Sequence, residues 1–215
     1  MLDLPESTVF GKRIPKQKFY DNLNMTAQLK RVFVEQINLI TWQNKIAPTT
    51  INIAAGETVT EIEVIAIRLN QRELDKRVLS LIDKEIPYHV LFLLEYGGEM
   101  QAWIGYKEQT KASALKPGIY YHTEWLAPEA LDLHLDGLNM DIVYENLIRQ
   151  IAGEQLNDTG GSIKDAVISY EHREKLVREI AALEKKVQQE KQFNRQVELN
   201  GELKKLKTLR NEFEP

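Results

Sequence analysis

Cysteine is absent from the chain, so disulfides, thiolate nucleophiles and Cys-built zinc sites are excluded outright. No apolar run approaches the length needed to span a bilayer, and the opening Met1-Leu2-Asp3-Leu4-Pro5-Glu6 lacks the basic start and apolar core of a signal peptide. A cytoplasmic protein with no membrane partner is expected. An excess of one charge is missing too. A net charge of −4 gives no global attraction to nucleic acid, so any such binding needs a local basic patch. Neither G-x-G-x-x-G nor a P-loop occurs, and no G-x-S-x-G accompanies the serines. The acids of the strand-like stretches, Glu61-Ile62-Glu63, Glu95 and Glu99-Met100-Gln101, lack the following lysine that a restriction-type nuclease uses beside its magnesium. No cofactor and no catalytic residue is expected.

What is present begins with a C-terminal stretch of helical period. Leu176, Ile180, Leu183 and Val187 fall at steps of four, three and four, the a/d seam of a heptad. Leu199, Leu203, Leu206 and Phe213 continue in another phase, with Phe193 and Val197 between them. So thin a stripe is half an interface. It is covered by a second copy, by another protein, or by the chain doubling back near Gln188 to Gln196, where apolar residues are sparse. If straight, the arm spans on the order of 75 Å. These nine residues, from Leu176 to Leu206, are the candidate partner interface, with a homodimer as its plainest form.

The rest of the chain reads as an α+β domain over residues 1–156, a linker over 157–161 (Asn-Asp-Thr-Gly-Gly) and the coiled-coil arm over 162–215. Within the domain, a basic stretch carries Lys12, Arg13, Lys16 and Lys18 around Ile14-Pro15 and reads as an irregular arm. Leu29, Val32, Phe33, Gln36, Ile37 and Ile40 recur at helical spacing, predicting a helix that Asp21 or Asn22 caps near Leu23, or Thr26 a little later, and that Trp42 closes. Val59 to Leu69 predicts a strand, and Asn70 a cap for a helix over 71–84. Val90-Leu91-Phe92-Leu93-Leu94 is apolar on both faces and predicts a central strand, turned back at Gly97-Gly98 into a strand over 100–106. A polar loop over 107–116, a strand over 118–125, a short strand through Leu131, Leu133 and Leu135, and an Asn139-capped helix to Ala152 complete the domain. The fold class is therefore α+β, a mixed or antiparallel sheet with flanking helices plus a C-terminal coiled-coil helical arm.

Three local constellations bear on function. Lys12, Arg13, Lys16, Lys18 and Phe19, joined by Arg195 in the arm, are candidate nucleic-acid contacts, cations for phosphates and an aromatic for a base. The aromatics Tyr88, Tyr96, Trp103, Tyr106, Tyr120, Tyr121 and Trp125 either stack bases from the sheet or pack it, with Lys107, Lys111 and Lys116 supplying charge nearby. Asp132, His134 and Asp136 share one face of the short strand, a weak donor set for a divalent metal against the ordinary reading of a solvated edge.

Several stretches also carry a family likeness. Val9-Phe10-Gly11-Lys12-Arg13-Ile14-Pro15-Lys16-Gln17-Lys18-Phe19-Tyr20, Lys191-Gln192-Phe193-Asn194-Arg195-Gln196-Val197-Glu198-Leu199-Asn200 with Glu202-Leu203-Lys204, Ile86 to Phe92, and Trp103 to Lys107 resemble a prokaryotic family known only as a domain of unknown function. The likeness covers essentially the whole chain and brings no catalytic residues. It implies a small companion encoded near restriction-type methyltransferases and helicases of phage defence, hence a nucleic-acid context. It marks Lys12, Arg13, Pro15, Lys16, Phe19, Asn194 and Arg195 as recognition candidates. Residues and resemblance together lead to the expectation of a non-enzymatic accessory subunit that docks through its coiled coil to itself or to a helicase- or methyltransferase-type protein. A nucleic-acid-binding module is the alternative and a metal-dependent nuclease the remote one.

Overall fold

The structure, a computed structural model, describes residues 4–22, 25–108, 116–156 and 162–212. The chain divides into two compact units, Met1–Gly153 and Glu154–Pro215. The expected linker over 157–161 lies outside the described residues.

The first unit is a mixed six-stranded sheet in sequential order: β1 (Val9–Arg13), β2 (Ile37–Ile46), β3 (Ile62–Leu69), β4 (His89–Tyr96), β5 (Glu99–Glu108) and β6 (Lys116–His122). All neighbours are antiparallel except β3 and β4, which run parallel across the helix α4 (Lys76–Glu85). One face of the sheet packs against α1 (Lys16–Asn22), α2 (Ala27–Gln36) and α4. There Phe19, Phe33, Leu79 and Ile82 close over Ile65, Ile67, Phe92 and Leu94. Leu91, Leu93, Ala102 and Ile104 point the opposite way, toward α5 (Met140–Ala152). Coverage on both faces is why β4 is apolar at successive positions. The β4–β5 hairpin turns at Gly97 and Gly98, with φ of +60° and +86°, left-handed values that a side chain would resist.

Where sequence and structure differ, local pairing explains most of the difference. The basic stretch is not irregular: β1 is an edge strand on β2, followed by α1. The helix capped by Thr26 ends at Gln36, and Ile37 onward is strand. A register shift between Ile37 and Leu39 inserts one residue into β2, so Ile37 and Ile40 share a face at a spacing of three and imitate a helical stripe. Asn70 caps no helix. Its amide donates to the Glu35 carbonyl at 2.9 Å, and α4 starts at Lys76 behind the cap Asp75, whose carboxylate accepts from the Arg77 backbone amide at 3.0 Å. The segment through Leu131 and Leu133 buries those leucines but pairs with no strand; the Gln150 side-chain amide of α5 holds the His134 backbone at 2.8 and 3.0 Å. Asn139 does cap α5, accepting from the Ile142 backbone amide at 3.0 Å, but Ile142 itself stays 38% exposed. Residues 109–115, most of the expected polar loop, lie outside the described residues.

One carboxylate fixes the long connection ahead of β3. Asp141, in the first turn of α5, accepts from the backbone N–H of Glu57, Thr58 and Val59 and from the Thr58 hydroxyl, at 2.6 to 3.1 Å. Burial pushes this carboxyl up, but the hydroxyl and the three amides outweigh it and hold it below the usual aspartate range. Gly56 leaves the room: a Cβ there would stand 2.4 Å from Asp141 Oδ1. Asp141→Ala should therefore lower stability by about 2–3 kcal/mol, since several donors lose a charged acceptor together. A fall in the thermal midpoint is the readout, and a change within scan error would refute the role.

The second unit settles the fate of the arm. α6 (Ile163–Gln189) and α7 (Phe193–Glu212) fold back on one another as a helical hairpin. Ile180 and Leu183 are buried, Leu176 and Val187 half-buried; across the pair Leu199 is buried and Leu203 and Leu206 half-buried. The change of heptad phase marks the bend. There Glu190 Oε1 accepts from the amides of Lys191 and Gln192 at 2.8 and 2.9 Å. Farther along, Lys207 pairs with Glu184 at 2.7 Å. Leu183→Ala is expected to cost about 2 kcal/mol, at the low end for a buried leucine because the hairpin is thin. Far-ultraviolet ellipticity followed through a urea titration checks it; an unchanged midpoint would mean the seam does not hold the hairpin.

Candidate functional site

The residues singled out by sequence separate into distinct groups. Lys12 and Arg13 are exposed on the edge strand, with Lys12 Nζ 4.5 Å from the centroid of the Phe10 ring. Charges there also guard an open sheet edge against pairing. Lys16 donates to the Ile37 carbonyl and so anchors α1 to the start of β2. Phe19 is buried in the core, 5.6 Å from Phe33 between ring centroids, and cannot serve as a base-stacking platform. Arg195 lies on the other unit, paired with Glu198 at 2.7 Å. Of the sheet aromatics, Tyr121 is fully buried and Trp103, buried, stacks on His122 at 4.2 Å, while Tyr88, Tyr96, Tyr106, Tyr120 and Trp125 are half-buried. Asp132, His134 and Asp136 are all exposed, His134 Nε2 lying 3.2 Å from Asp132 Oδ2. Among the described residues no group of three or more His, Asp or Glu side chains is placed to hold a metal ion, so the weak metal candidate is withdrawn.

The structure instead gathers buried polar chemistry around Asp83 and His89, which sequence reasoning passed over, and Lys107 and Tyr120, which it read as nearby charge and a sheet aromatic. Lys107, expected in a loop, ends β5 with its ammonium buried, 2.6 Å from Asp83 Oδ1 of α4. Lys107 Nζ also donates to the Tyr88 carbonyl at 2.6 Å, and the Tyr120 hydroxyl donates to Asp83 Oδ2 at 2.7 Å. Gly105 leaves the Tyr120 ring its path, since a Cβ would approach it to 3.0 Å. Burial pushes the Asp83 carboxyl up and the Lys107 ammonium down, each resisted by the other's charge. His89 is buried next to this group, its ring 4.3 Å from that of Tyr144; burial and then the Lys107 charge lower it to about 4, so it is neutral at neutral pH. With both members of the ion pair out of reach of water, the cluster is a clamp between α4 and the sheet rather than a reaction centre.

A second buried carboxylate does reach an opening. Glu63 of β3 is 2% exposed; its Oε2 accepts from Trp42 Nε1–H at 2.6 Å, and its Oε1 has no hydrogen-bond partner among the described residues. Burial raises this carboxyl to about 7, against the pull of the Trp42 bond, with the Glu61 charge adding to the rise and Lys45 opposing it. Glu63 lines a cavity of about 270 Å³ walled by Ile14, Phe19, Trp42, Ile65 and Tyr88. The signal was visible in the alternation of β3, which sets Glu63 on the same face as Ile65 and Ile67. A larger hollow of about 550 Å³ by the Gly97-Gly98 turn is lined by Arg68, Glu95 and Glu99, whose charges already pair, Arg68 with Glu95 and Glu99 with Arg72.

No helix among the described residues is long and apolar enough to cross a membrane. No curated protein and no solved structure matches the chain. A family model described as a domain of unknown function (DUF4391) matches residues 2–209, nearly the whole of the two units, and the chain belongs to that family.

Proposed function

We propose that this protein is a non-enzymatic interaction subunit, an α+β domain bearing a helical hairpin that docks onto another protein of a bacterial DNA-modification or phage-defence complex. One observation supports the docking role. Phe193 is 75% exposed and Val197 54% exposed, one turn apart on α7 beside the hairpin bend. Leaving a phenylalanine in water forgoes roughly 1.5–3 kcal/mol of burial, and such side chains supply the anchors of protein interfaces. The stripe through Leu176, Ile180, Leu183 and Val187 is spent on closing the hairpin, so two straight arms need not pair. The tip carries the most exposed aromatic among the described residues of the hairpin. A helicase- or methyltransferase-type partner rests on the family likeness alone.

The test is Phe193→Glu combined with Val197→Glu in the full chain. Copurification of a methyltransferase or helicase from the native host is expected with the unaltered protein and lost with the double variant, at equal thermal stability. Retention of that partner at the same stoichiometry would overturn the reading. Nucleic-acid binding keeps Lys12 and Arg13 as its clearest exposed candidates. It predicts an affinity that falls steeply with salt and is lost on Lys12→Glu with Arg13→Glu, read by fluorescence anisotropy.

A further inference from the structure

A buried acceptor with nothing to accept is costly, about 1–3 kcal/mol for a neutral group and more for a charged one. Glu63 is in that position. Trp42 satisfies one oxygen, while the other has no partner among the described residues, on a side chain that lines a mostly apolar cavity. The walls specify what would complete it. Three aromatic side chains, Phe19, Trp42 and Tyr88, and the aliphatic Ile14, Ile65 and Ile86 surround the carboxylate, with Lys18 and Glu85 also at the cavity. Such walls accept hydrocarbon or an aromatic ring and favour a cation near ring faces. A nucleobase or sugar would bring several donors and acceptors where one carboxylate oxygen waits, and each extra polar atom would be stranded against apolar walls. An anion would meet Glu63 itself. We propose that this cavity binds a small organic ammonium, its N–H donating to Glu63 Oε1 and its apolar or aromatic body lying against Trp42, Phe19 and Ile65. The same chemistry is offered by a free arylalkylamine and by a lysine side chain of another protein.

Calorimetric titration of the full chain at pH 8 distinguishes the sources, with phenethylamine as the free amine and Nα-acetyl-lysine amide as the side chain. Saturable binding of either one supports the site, and the tighter of the two names the source. Phenethyl alcohol, which keeps the ring and loses the charge, should bind at least about tenfold more weakly than phenethylamine. Glu63→Gln should weaken amine binding by about tenfold or more while leaving the circular dichroism spectrum unchanged. Ile14→Trp, which fills the cavity and leaves Glu63 in place, should abolish binding and guards against a folding artefact in the first variant. The proposal is overturned if neither amine saturates, if the alcohol binds as well as the amine, or if either variant binds with the affinity of the unaltered chain.

Discussion

Asp83→Asn is expected to destabilise the protein by about 3–5 kcal/mol, a large share of the stability of a domain this size. The substitution keeps the shape of the side chain and removes its charge, leaving the Lys107 ammonium, 1% exposed, without a counter-ion. Lys107 must then either stay charged in a low-dielectric interior or give up its proton, and both are unfavourable. Lys107→Met is expected to cost a similar amount for the mirror reason, although the Tyr120 hydroxyl still donates to Asp83. The two losses should not add. With Asp83→Leu, Lys107→Met and Tyr120→Phe combined, no buried charge remains and only the Tyr88 carbonyl and the half-buried Ser80 hydroxyl lose a partner, so a good part of the stability should return. Urea unfolding of the single and combined variants decides it: a loss below about 1 kcal/mol for Asp83→Asn would mean that water reaches the pair. The clamp also bears on the cavity. Lys107 Nζ holds the Tyr88 carbonyl at 2.6 Å, and Tyr88 and the neighbouring Pro87 form part of the cavity wall.

The class of fold was legible because it rests on strong local signals: the doubly apolar run of β4, the Gly97-Gly98 turn and the Asn139 cap sit where pattern puts them, and of the two starts open to the second helix the structure takes Thr26. The boundary of β2 was not, because a bulge gives a strand the spacing of a helix, and only pairing with β3 decides between them. The hairpin was legible as one of two options. The phase change between Leu183 and Leu199 shows that a single straight seam is interrupted, but a seam does not say which surface covers it. Least legible was the buried polar chemistry. Lys107 follows a strand and begins a polar stretch, so composition assigns it to solvent; burial comes from α4 and β6 arriving with Asp83 and Tyr120. Residues 24 and 13 positions away supply those partners, and no local pattern encodes them.

Stability should fall as pH rises from about 4.5 to about 7, by about 3 kcal/mol from Glu63 alone. In the unfolded chain this carboxyl ionises near 4.5, whereas burial raises it to about 7 in the folded one. Between those values the folded state holds a proton that the unfolded state has released. The stabilisation is thus complete below about pH 4.5, declines as pH rises, and is gone above about 7. Burial sets most of the width of that window; the Trp42 bond narrows it, Glu61 on the chain leading into β3 widens it and Lys45 on β2 opposes Glu61, while Lys18 on α1 and Glu85 at the end of α4 are the other charged groups at the cavity. Carboxylates with lowered values, Asp75 and Asp141, act in the opposite sense and lose their contribution as pH falls. Their effect cancels in a comparison of the unaltered chain with Glu63→Gln. Glutamine has no proton to lose, so relative to the unaltered chain the variant should gain about 3 kcal/mol between pH 4.5 and 8. Urea midpoints of both proteins measured across that range are the test. Parallel curves would show that Glu63 meets water in the folded state, and the cavity would then lose the unsatisfied acceptor on which an ammonium depends.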